Sequence, residues 1–187
     1  MAMTDILASE LSSTEATVRS AATGDEVAFA RLVAEHHGTM SRVAFIVCGD
    51  HEVARDAVQS AWATAWRRMG SLRDPRQVRP WLVAIAVNEA RQARRRRRRQ
   101  PVVDISEAIS VNAGADPISA EVMDLRRVLA GLNPEDLGLL AMRFTAGLDS
   151  ATIASQLGIS ASGVRSRLAR LLERLRDDLA LEPEADE

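Results

Sequence analysis

The segment from Pro80 to Arg99, PWLVAIAVNEARQARRRRRR, constrains the fold more than any other part of the chain. Its first half would be apolar on almost every side of a helix, and it ends in six consecutive arginines, Arg94 to Arg99. On a helical wheel, Asn88, Arg91 and Arg95 form a strip that is separate from the main apolar face. A buried helix that emerges as a dense cationic surface is suited to hold a polyanion against a packed domain.

Asn88 lies at the edge of this apolar run, where its amide could read the edge of a base. Arg91, Arg94 and Arg95 could then hold the neighbouring phosphates. Runs of like charge are also typical of a solvated helix tail or a disordered basic arm. The segment alone leaves that alternative open.

The composition favours helices and conceals a strong charge asymmetry. The 187 residues include three Trp, three Phe and no Tyr, and Ala, Leu and Val dominate, which favours helix over sheet. The net charge is -2 and all 24 basic residues are arginine. Between residues 18 and 99, however, 16 arginines face 8 acids. The positive charge is therefore local, as expected of a nucleic-acid footprint.

Several functional classes are disfavoured. The single Cys48 excludes an intramolecular disulfide and a multi-cysteine zinc site, and we interpret it as a buried structural thiol. His36, His37 and His51 lack metal-ligand spacing and are predicted at the surface or at helix ends. We expect no cofactor and no metal. The sequence has no signal peptide and no long apolar span, so we expect a cytoplasmic protein.

The pattern predicts an all-α chain of two small helical domains joined by a flexible acidic linker. In order, we predict a flexible tail over 1–17, a domain over 18–99, a linker over 100–119, a domain over 120–180 and an acidic tail over 181–187. Helices are expected near 26–37, 39–47, 52–69 and 81–99, with a loop over Gly70–Pro80. In the second domain, Asn133-Pro134 is a helix start, and this helix should turn Leu137 and Phe144 inward.

Residues 149–176 have the pattern of a helix-turn-helix motif. A short helix should stop at Gly158, Ile159 should fill the turn, and Ser160 should cap a second helix. The second helix has an apolar stripe and a polar outer face. The stripe comprises Val164, Leu168, Leu171, Leu172 and Leu175, and the DNA-facing candidates are Ser162, Arg165, Ser166, Arg167 and Arg170. An ordinary helical hairpin with an arginine-rich surface is the alternative.

Three motifs in order resemble the extracytoplasmic-function (ECF) group of bacterial RNA polymerase sigma factors. DHEVARDAVQSAWATAWRRM resembles region 2.2, which docks on the clamp helices of the polymerase β′ subunit. The Pro80–Arg99 segment resembles region 2.4, which reads the promoter -10 element. LNPEDLGLLAMRFTAGLDSATIASQLGISASGVRSRLARL resembles region 4, which reads the -35 element and touches the β flap. The resemblance covers about residues 18–179.

The resemblance implies a role for particular residues. Asp56, Gln59, Trp62 and Trp66 match positions that bind core polymerase, although the tryptophans are equally expected in the core. The loop with Arg73 matches the one that captures a flipped -10 base. The residues implied for the -10 element are Arg73, Asn88, Arg91, Arg94 and Arg95, and those for the -35 element are Ser162, Arg165, Ser166, Arg167 and Arg170.

The chain also departs from the family pattern. Ser60 stands where a Glu is usual, and Gly163 stands where a Thr is usual. The implied partners are core RNA polymerase, promoter DNA and an anti-sigma factor, without membrane insertion. The acidic linker would thread a basic channel on the polymerase.

Two other functions are alternatives to a sigma factor. A stand-alone helix-turn-helix regulator would need a dimer interface to read two half-sites, and the sequence offers no spare amphipathic helix for one. A nucleic-acid-processing enzyme would need a phosphate-cradling Gly loop, a metal cluster or paired catalytic carboxylates, which the sequence lacks. We therefore expect a protein that is not an enzyme.

Overall fold

The computed structural model describes residues 13–99 and 120–180, which are helical apart from short turns. The predicted linker over 100–119 and the acidic tail over 181–187 lie outside the described residues. The N-terminal domain contains α1 (residues 13–22), α2 (Glu26–Cys48), α3 (His51–Arg68), 3-10 turns at Met69–Ser71 and Pro75–Gln77, and α4 (Val78–Arg99). The C-terminal domain contains α5 (Ala120–Gly131), α6 (Pro134–Leu140), a π-helical turn (Ala141–Thr145), α7 (Ser150–Leu157) and α8 (Ala161–Ala180).

Local sequence signals set the helix ends. The Asp25 carboxylate accepts hydrogen bonds from the first turn of α2, and Asp50 caps α3 in the same way. Between these helices Gly49 has a φ of 73°, a left-handed conformation that favours glycine and ends α2.

The predicted break between two helices near residue 38 is wrong, because α2 is continuous from Glu26 to Cys48. Gly38 lies inside this helix. The buried face continues past it through Leu32, His36, Met40 and Val43 at helical spacing. Packing along this face offsets the roughly 1 kcal/mol by which an interior glycine weakens a helix.

Two further boundaries differ from the predictions. Residues 13–17 of the expected flexible tail belong to α1, which buries Val18 and Ala21; residues 1–12 lie outside the described residues. The expected loop before α4 is shorter, because residues 75–77 form a 3-10 turn and α4 begins at Val78 rather than Trp81. Pro80 fits the first turn of α4, where its missing N–H removes no helical hydrogen bond.

Helix α4 is buried on several sides, which explains its unusual apolar composition. It packs against α2 and α3 in its own domain and against α6, the π-helical turn and α7 of the second domain. Its buried residues include Leu82, Val83, Ala84, Ile85, Ala86 and Val87. The two domains are therefore in direct contact.

The single cysteine lies between α2 and α4. Cys48 is half-buried, and its Sγ donates to the carbonyl of Ala90 over 3.6 Å. Burial raises the pKa of the Cys48 thiol to about 11. These properties agree with a structural thiol. The expectation that His36 lies at the surface is wrong, because its side chain packs within the protein with 6% exposure.

The helix-turn-helix motif is present in the C-terminal domain. Asp149 caps α7, Gly158 ends it with a φ of 68°, and the Ser160 hydroxyl accepts from the Gly163 amide at the start of α8. Four residues of the predicted stripe are buried and Leu172 is half-buried. Two inward predictions are wrong: Phe144 is 60% exposed and Ile159 is 45% exposed. Both lie where a helix ends, so helical periodicity no longer fixes their direction.

Candidate nucleic-acid and polymerase interfaces

A cleft of about 270 Å³ runs between α3 and α4. Arginines and side-chain amides dominate its lining. The lining residues are Thr64, Arg68, Ile85, Asn88, Glu89, Arg91, Gln92 and Arg95. Three of the five residues predicted for the -10 element therefore meet in one cleft. This combination of amides and guanidinium groups suits base edges beside phosphates.

The -10 candidates differ in what they contact. Asn88 is exposed on a helix that is otherwise largely buried. Arg73 is exposed in the loop between the two 3-10 turns, outside this cleft. Arg94 is drawn away from solvent and donates to the backbone carbonyl of Val47 over 2.8 Å. Burial lowers the pKa of the Arg94 guanidinium.

One acidic side chain from the second domain contacts this surface, and the sequence did not single it out as functional. Oε1 of Glu135 accepts from Nη2 of Arg91 over 2.8 Å and also from Arg95. The hydrogen bond from Arg91 lowers the pKa of Glu135 to about 2. The only signal in the sequence was an acid in the first turn of α6, which the helix dipole already explains.

The polar face of α8 is accessible. Ser162, Arg165, Ser166 and Arg170 are all exposed, and Nε of Arg170 donates to the Ser166 carbonyl over 3.4 Å. Arg167 is only half-exposed. These exposed residues form the outer surface of the helix-turn-helix motif, where an arginine and serine face can enter a major groove.

Asp136 of α6 binds two arginines of α8, Arg167 and Arg174, beside this face. Its Oδ1 accepts from Nε and Nη2 of Arg167 over 3.0 and 2.8 Å, and its Oδ2 accepts from Arg174 over 3.1 Å. Asn133, the cap of α6, also donates to Asp136 over 2.9 Å. The carboxylate is buried and fully engaged. Asp136 therefore fixes α8 on α6, a role that the sequence analysis missed.

A second surface of the N-terminal domain is a groove between α2 and α3. Its larger part has a volume of about 630 Å³ and includes Gln59 and Trp62. A smaller part of about 330 Å³ is lined by Phe29 and Trp66 and shares Val33 with the larger one. Three of the four residues predicted to bind polymerase thus line these two adjoining depressions, which we call the α2–α3 groove. Asp56 is exposed on α3 but is not among the lining residues.

The groove is aromatic and preorganised. The ring of Phe29 lies 5.6 Å from Trp62 and 4.8 Å from Trp66 in edge-on arrangements. Nε1 of Trp62 donates to Nδ1 of His37 over 3.3 Å. Trp66 is 37% exposed, so it belongs partly to the core and partly to the surface.

The α2 residues that form one wall of the groove were not predicted from the sequence. Its residues follow at intervals of four: Phe29, Val33, His37, Ser41 and Phe45. This stripe was readable in the sequence, but the false break at residue 38 divided it. At the far end, Phe45 stacks on His51 with ring centroids 4.1 Å apart.

Residues 13–99 and 120–180 contain no group of three or more His, Cys, Asp or Glu side chains that could hold a metal ion. No helix in these ranges is long and apolar enough to cross a membrane.

Comparison with known proteins identifies the family. The chain matches the sigma-70 region 2 family over residues 32–100 and the sigma-70 region 4 family over residues 123–175. It is 30% identical to SigM, an ECF RNA polymerase sigma factor of Mycobacterium tuberculosis, over 81% of this chain and 77% of SigM. It is 29% identical to the sigma-factor relative RfaY of Xanthomonas campestris pv. campestris over 85% of this chain, but spans 42% of that longer protein.

The fold agrees with this assignment. The structure of CnrH in complex with the cytosolic domain of CnrY superposes with a TM-score of 0.68, at 22% identity, over 90% of this chain and 98% of CnrH. The chain therefore belongs to the sigma-70 family, in the ECF group of RNA polymerase sigma factors. It directs promoter-specific initiation of transcription by core RNA polymerase.

Proposed function

We propose that the chain binds core polymerase through the groove between α2 and α3, reads the -10 element with α4 and reads the -35 element with α8. The observation that carries the proposal is the aromatic groove, whose two adjoining parts are lined by Gln59 and Trp62 and by Trp66. A stand-alone DNA-binding regulator has no use for such a surface.

The physical chemistry of the groove suits a helical protein partner. Exposed apolar clefts rimmed by polar residues mark protein interaction sites, and a half-exposed tryptophan is a typical energetic centre of an interface. Gln59 lines this groove, and the exposed Asp56 lies about one helical turn before it on α3. They supply acceptors and an amide for the polar rim.

The DNA contacts divide into reading and holding groups. Asn88 and the arginines of the cleft would bind an unpaired -10 base and its phosphates, because removing a base from the stack needs a pocket and nearby cations. Arg73 would approach the same strand from the loop. On α8, Ser162, Arg165, Ser166 and Arg170 would meet the -35 element in the major groove, with Arg167 at their edge.

Tethering gives the two DNA contacts their combined strength. Each domain presents a modest surface, and linking two modest sites raises the overall affinity through effective concentration. The proposal includes no catalytic step by this chain, since the polymerase makes the RNA. We also propose that it acts in the cytoplasm and is held by an anti-sigma factor, by analogy with the CnrH complex with the cytosolic domain of CnrY.

A polymerase-binding titration tests the groove. The full chain, labelled with a fluorophore, is titrated with core polymerase from its source organism. The Asp56→Ala/Gln59→Ala variant should bind about tenfold or more weakly, the loss typical of removing interface anchors. Glu35→Ala removes an exposed acid on α2 outside the groove and should leave the affinity unchanged. Equal affinity of the double variant and the parent would contradict the proposal.

A further inference from the structure

The cleft between α3 and α4 contains one acidic side chain among its cations. Glu89 of α4 is half-buried, and its Oε1 accepts from the Thr64 hydroxyl of α3 over 3.1 Å. The arginines that line the same cleft are Arg68, Arg91 and Arg95. Among the residues that the structure describes, Glu89 forms no ion pair with these arginines, two of which bind the Glu135 carboxylate instead. Its second oxygen, Oε2, is therefore left to accept from a ligand.

The position of this carboxylate is fixed from α3. The Thr64 hydroxyl donates to Glu89 and accepts from Nη2 of Arg67 over 3.2 Å. A hydroxyl can donate one hydrogen bond and accept others at the same time. The chain from Arg67 through Thr64 to Glu89 thus orients the acceptor before any DNA is bound.

A negative charge at this place weakens the binding of phosphate. The carboxylate lies near arginines that are proposed to hold the DNA backbone, and it repels the same phosphates that they attract. DNA lacks the 2′-hydroxyl of RNA, so the hydrogen-bond donors along a DNA strand belong to its bases. In a DNA-binding cleft, Glu89 therefore finds a favourable partner only at the edge of a base.

The four bases differ at the ring position that a carboxylate distinguishes best. Cytosine carries an amino group at N4 and adenine carries one at N6, whereas thymine and guanine carry the oxygens O4 and O6 there. A carboxylate accepts from the amino group and repels the oxygen. Acidic side chains read cytosine N4 in this way at duplex DNA. Next to Glu89, the exposed amides of Asn88 and Gln92 line the same cleft and supply donors for the ring nitrogens.

We propose that Glu89 is a specificity-determining residue of the -10 site. At one position of the unpaired strand it selects an amino-bearing base, cytosine or adenine, and rejects thymine and guanine. Thr64 is its positioning residue. The inference rests on the proposed assignment of α4 to the -10 element and deepens it. Neither residue is among those that the sequence predicted for this element.

A randomised promoter library tests the selection. A promoter recovered by run-off transcription is randomised over its -10 element, and each variant carries a barcode in its transcribed region. Holoenzyme assembled from core polymerase and the full chain transcribes the library, and the barcodes are sequenced. At one position, the parent should use cytosine or adenine at least about fivefold more than thymine or guanine, the lower end of what a good side-chain pair contributes.

Glu89→Gln should reduce this preference to about twofold or less, because its amide can also donate to a carbonyl oxygen. The matched control is Glu35→Gln, which makes the same change at an exposed position of α2 outside the cleft and should keep the parental preference. A parental preference in Glu89→Gln would overturn the proposal. An equal rise in transcription with all four bases would also overturn it, since Glu89 would then act only by repelling phosphates.

Asn88→Ala separates this inference from the proposed function. If α4 reads the -10 element but Glu89 does not, Asn88→Ala changes the base profile of the library and Glu89→Gln leaves it as in the parent. If both variants keep the parental profile, the assignment of α4 to the -10 element fails as well.

Two substitutions of Thr64 test its positioning role. Thr64→Val removes the hydroxyl at nearly constant volume and should weaken the preference for amino-bearing bases. Thr64→Ser keeps the hydroxyl and should keep the preference. Both variants should bind core polymerase as the parent does in the fluorescence titration. Equal preferences in the valine and serine variants would exclude Thr64 from this role.

Discussion

Nη2 of Arg91, on the helix assigned to the -10 element, lies 2.8 Å from Oε1 of Glu135, in the domain assigned to the -35 element. This ion pair joins the two domains, and the hydrogen bond from Arg91 lowers the pKa of Glu135 to about 2. The Glu135 carboxylate therefore lies against two of the arginines that we propose for the -10 element.

Asn88→Ala should change promoter choice with little effect on folding. The side chain is exposed, so its removal should alter the free energy of unfolding by less than about 0.5 kcal/mol. At the promoter, loss of the amide should reduce discrimination at one -10 position by about 1–3 kcal/mol. Transcription from a promoter set substituted singly at each -10 base measures this. A uniform decrease on all templates would instead mean that Asn88 does not read a base.

Asp136→Ala should destabilise the C-terminal domain. The buried carboxylate accepts three hydrogen bonds from Arg167 and Arg174, and charged hydrogen bonds of this kind contribute roughly 1.5–3 kcal/mol. Urea denaturation of the full chain measures the loss. The control is Asp124→Ala, which removes an i,i+3 pair with Arg127 on α5 and should cost less than about 1 kcal/mol.

A double-mutant cycle locates the origin of that effect. If Asp136 acts through Arg167, the Asp136→Ala/Arg167→Ala variant should be more stable than the sum of the single losses predicts. Strict additivity would show that the two side chains do not stabilise the domain through their contact.

His36 should make the protein less stable as the pH falls below neutrality. Burial lowers the pKa of His36 from its usual 6.5. The charge of Arg79 lowers this pKa further, whereas Glu35, at 3.7 Å, raises it. Below pH 6.5 the unfolded chain binds a proton that the folded chain resists. The free energy of unfolding should therefore fall by up to about 1.4 kcal/mol per pH unit in that window.

Substitution of the histidine tests this slope. His36→Leu should flatten the dependence of the free energy of unfolding on pH between 7 and 5.5, measured by urea denaturation at each pH. Met40→Leu, one turn along the same buried face, should keep the slope of the parent protein. The same slope in His36→Leu and the parent would assign the effect to another group.

Cys48 should react slowly with iodoacetamide. Its thiol is half-buried, donates to Ala90 and has a pKa of about 11, so the thiolate that reacts is scarce at pH 7.5. The rate should rise steeply towards pH 11 or on addition of denaturant, followed by mass spectrometry. Labelling of the folded protein at pH 7.5 as fast as a free cysteine would contradict the described environment.

The sequence predicted the elements whose signals are local. The helix start at Asn133-Pro134, the cap at Ser160 and the stripe from Val164 to Leu175 lie as expected, because each depends on residues within one or two helical turns. The break predicted at Gly38 failed because packing along α2 outweighs the weak helix propensity of one glycine. The inward orientation predicted for Phe144 and Ile159 was wrong, because helical periodicity does not fix the direction of a side chain at a helix end.

The sequence predicted which candidate residues lie together only where those residues belong to one helix. Asn88, Arg91 and Arg95 share a strip of α4, and they line one cleft. Glu135 and Asp136 could not be assigned partners, because their contacts join residues separated by between 31 and 44 positions along the chain. Long-range ion pairs of this kind leave no periodic trace in a sequence. The roles of the site residues at the promoter and on the polymerase remain predictions.

Run-off transcription tests the central claim most directly. Fragmented genomic DNA from the source organism is transcribed by its core polymerase with and without the full chain, and the transcripts are sequenced. The account predicts transcripts that depend on the protein and share paired upstream elements at the -10 and -35 positions. An absence of dependent transcripts, with DNA binding retained in the absence of polymerase, would contradict it and favour a stand-alone regulator.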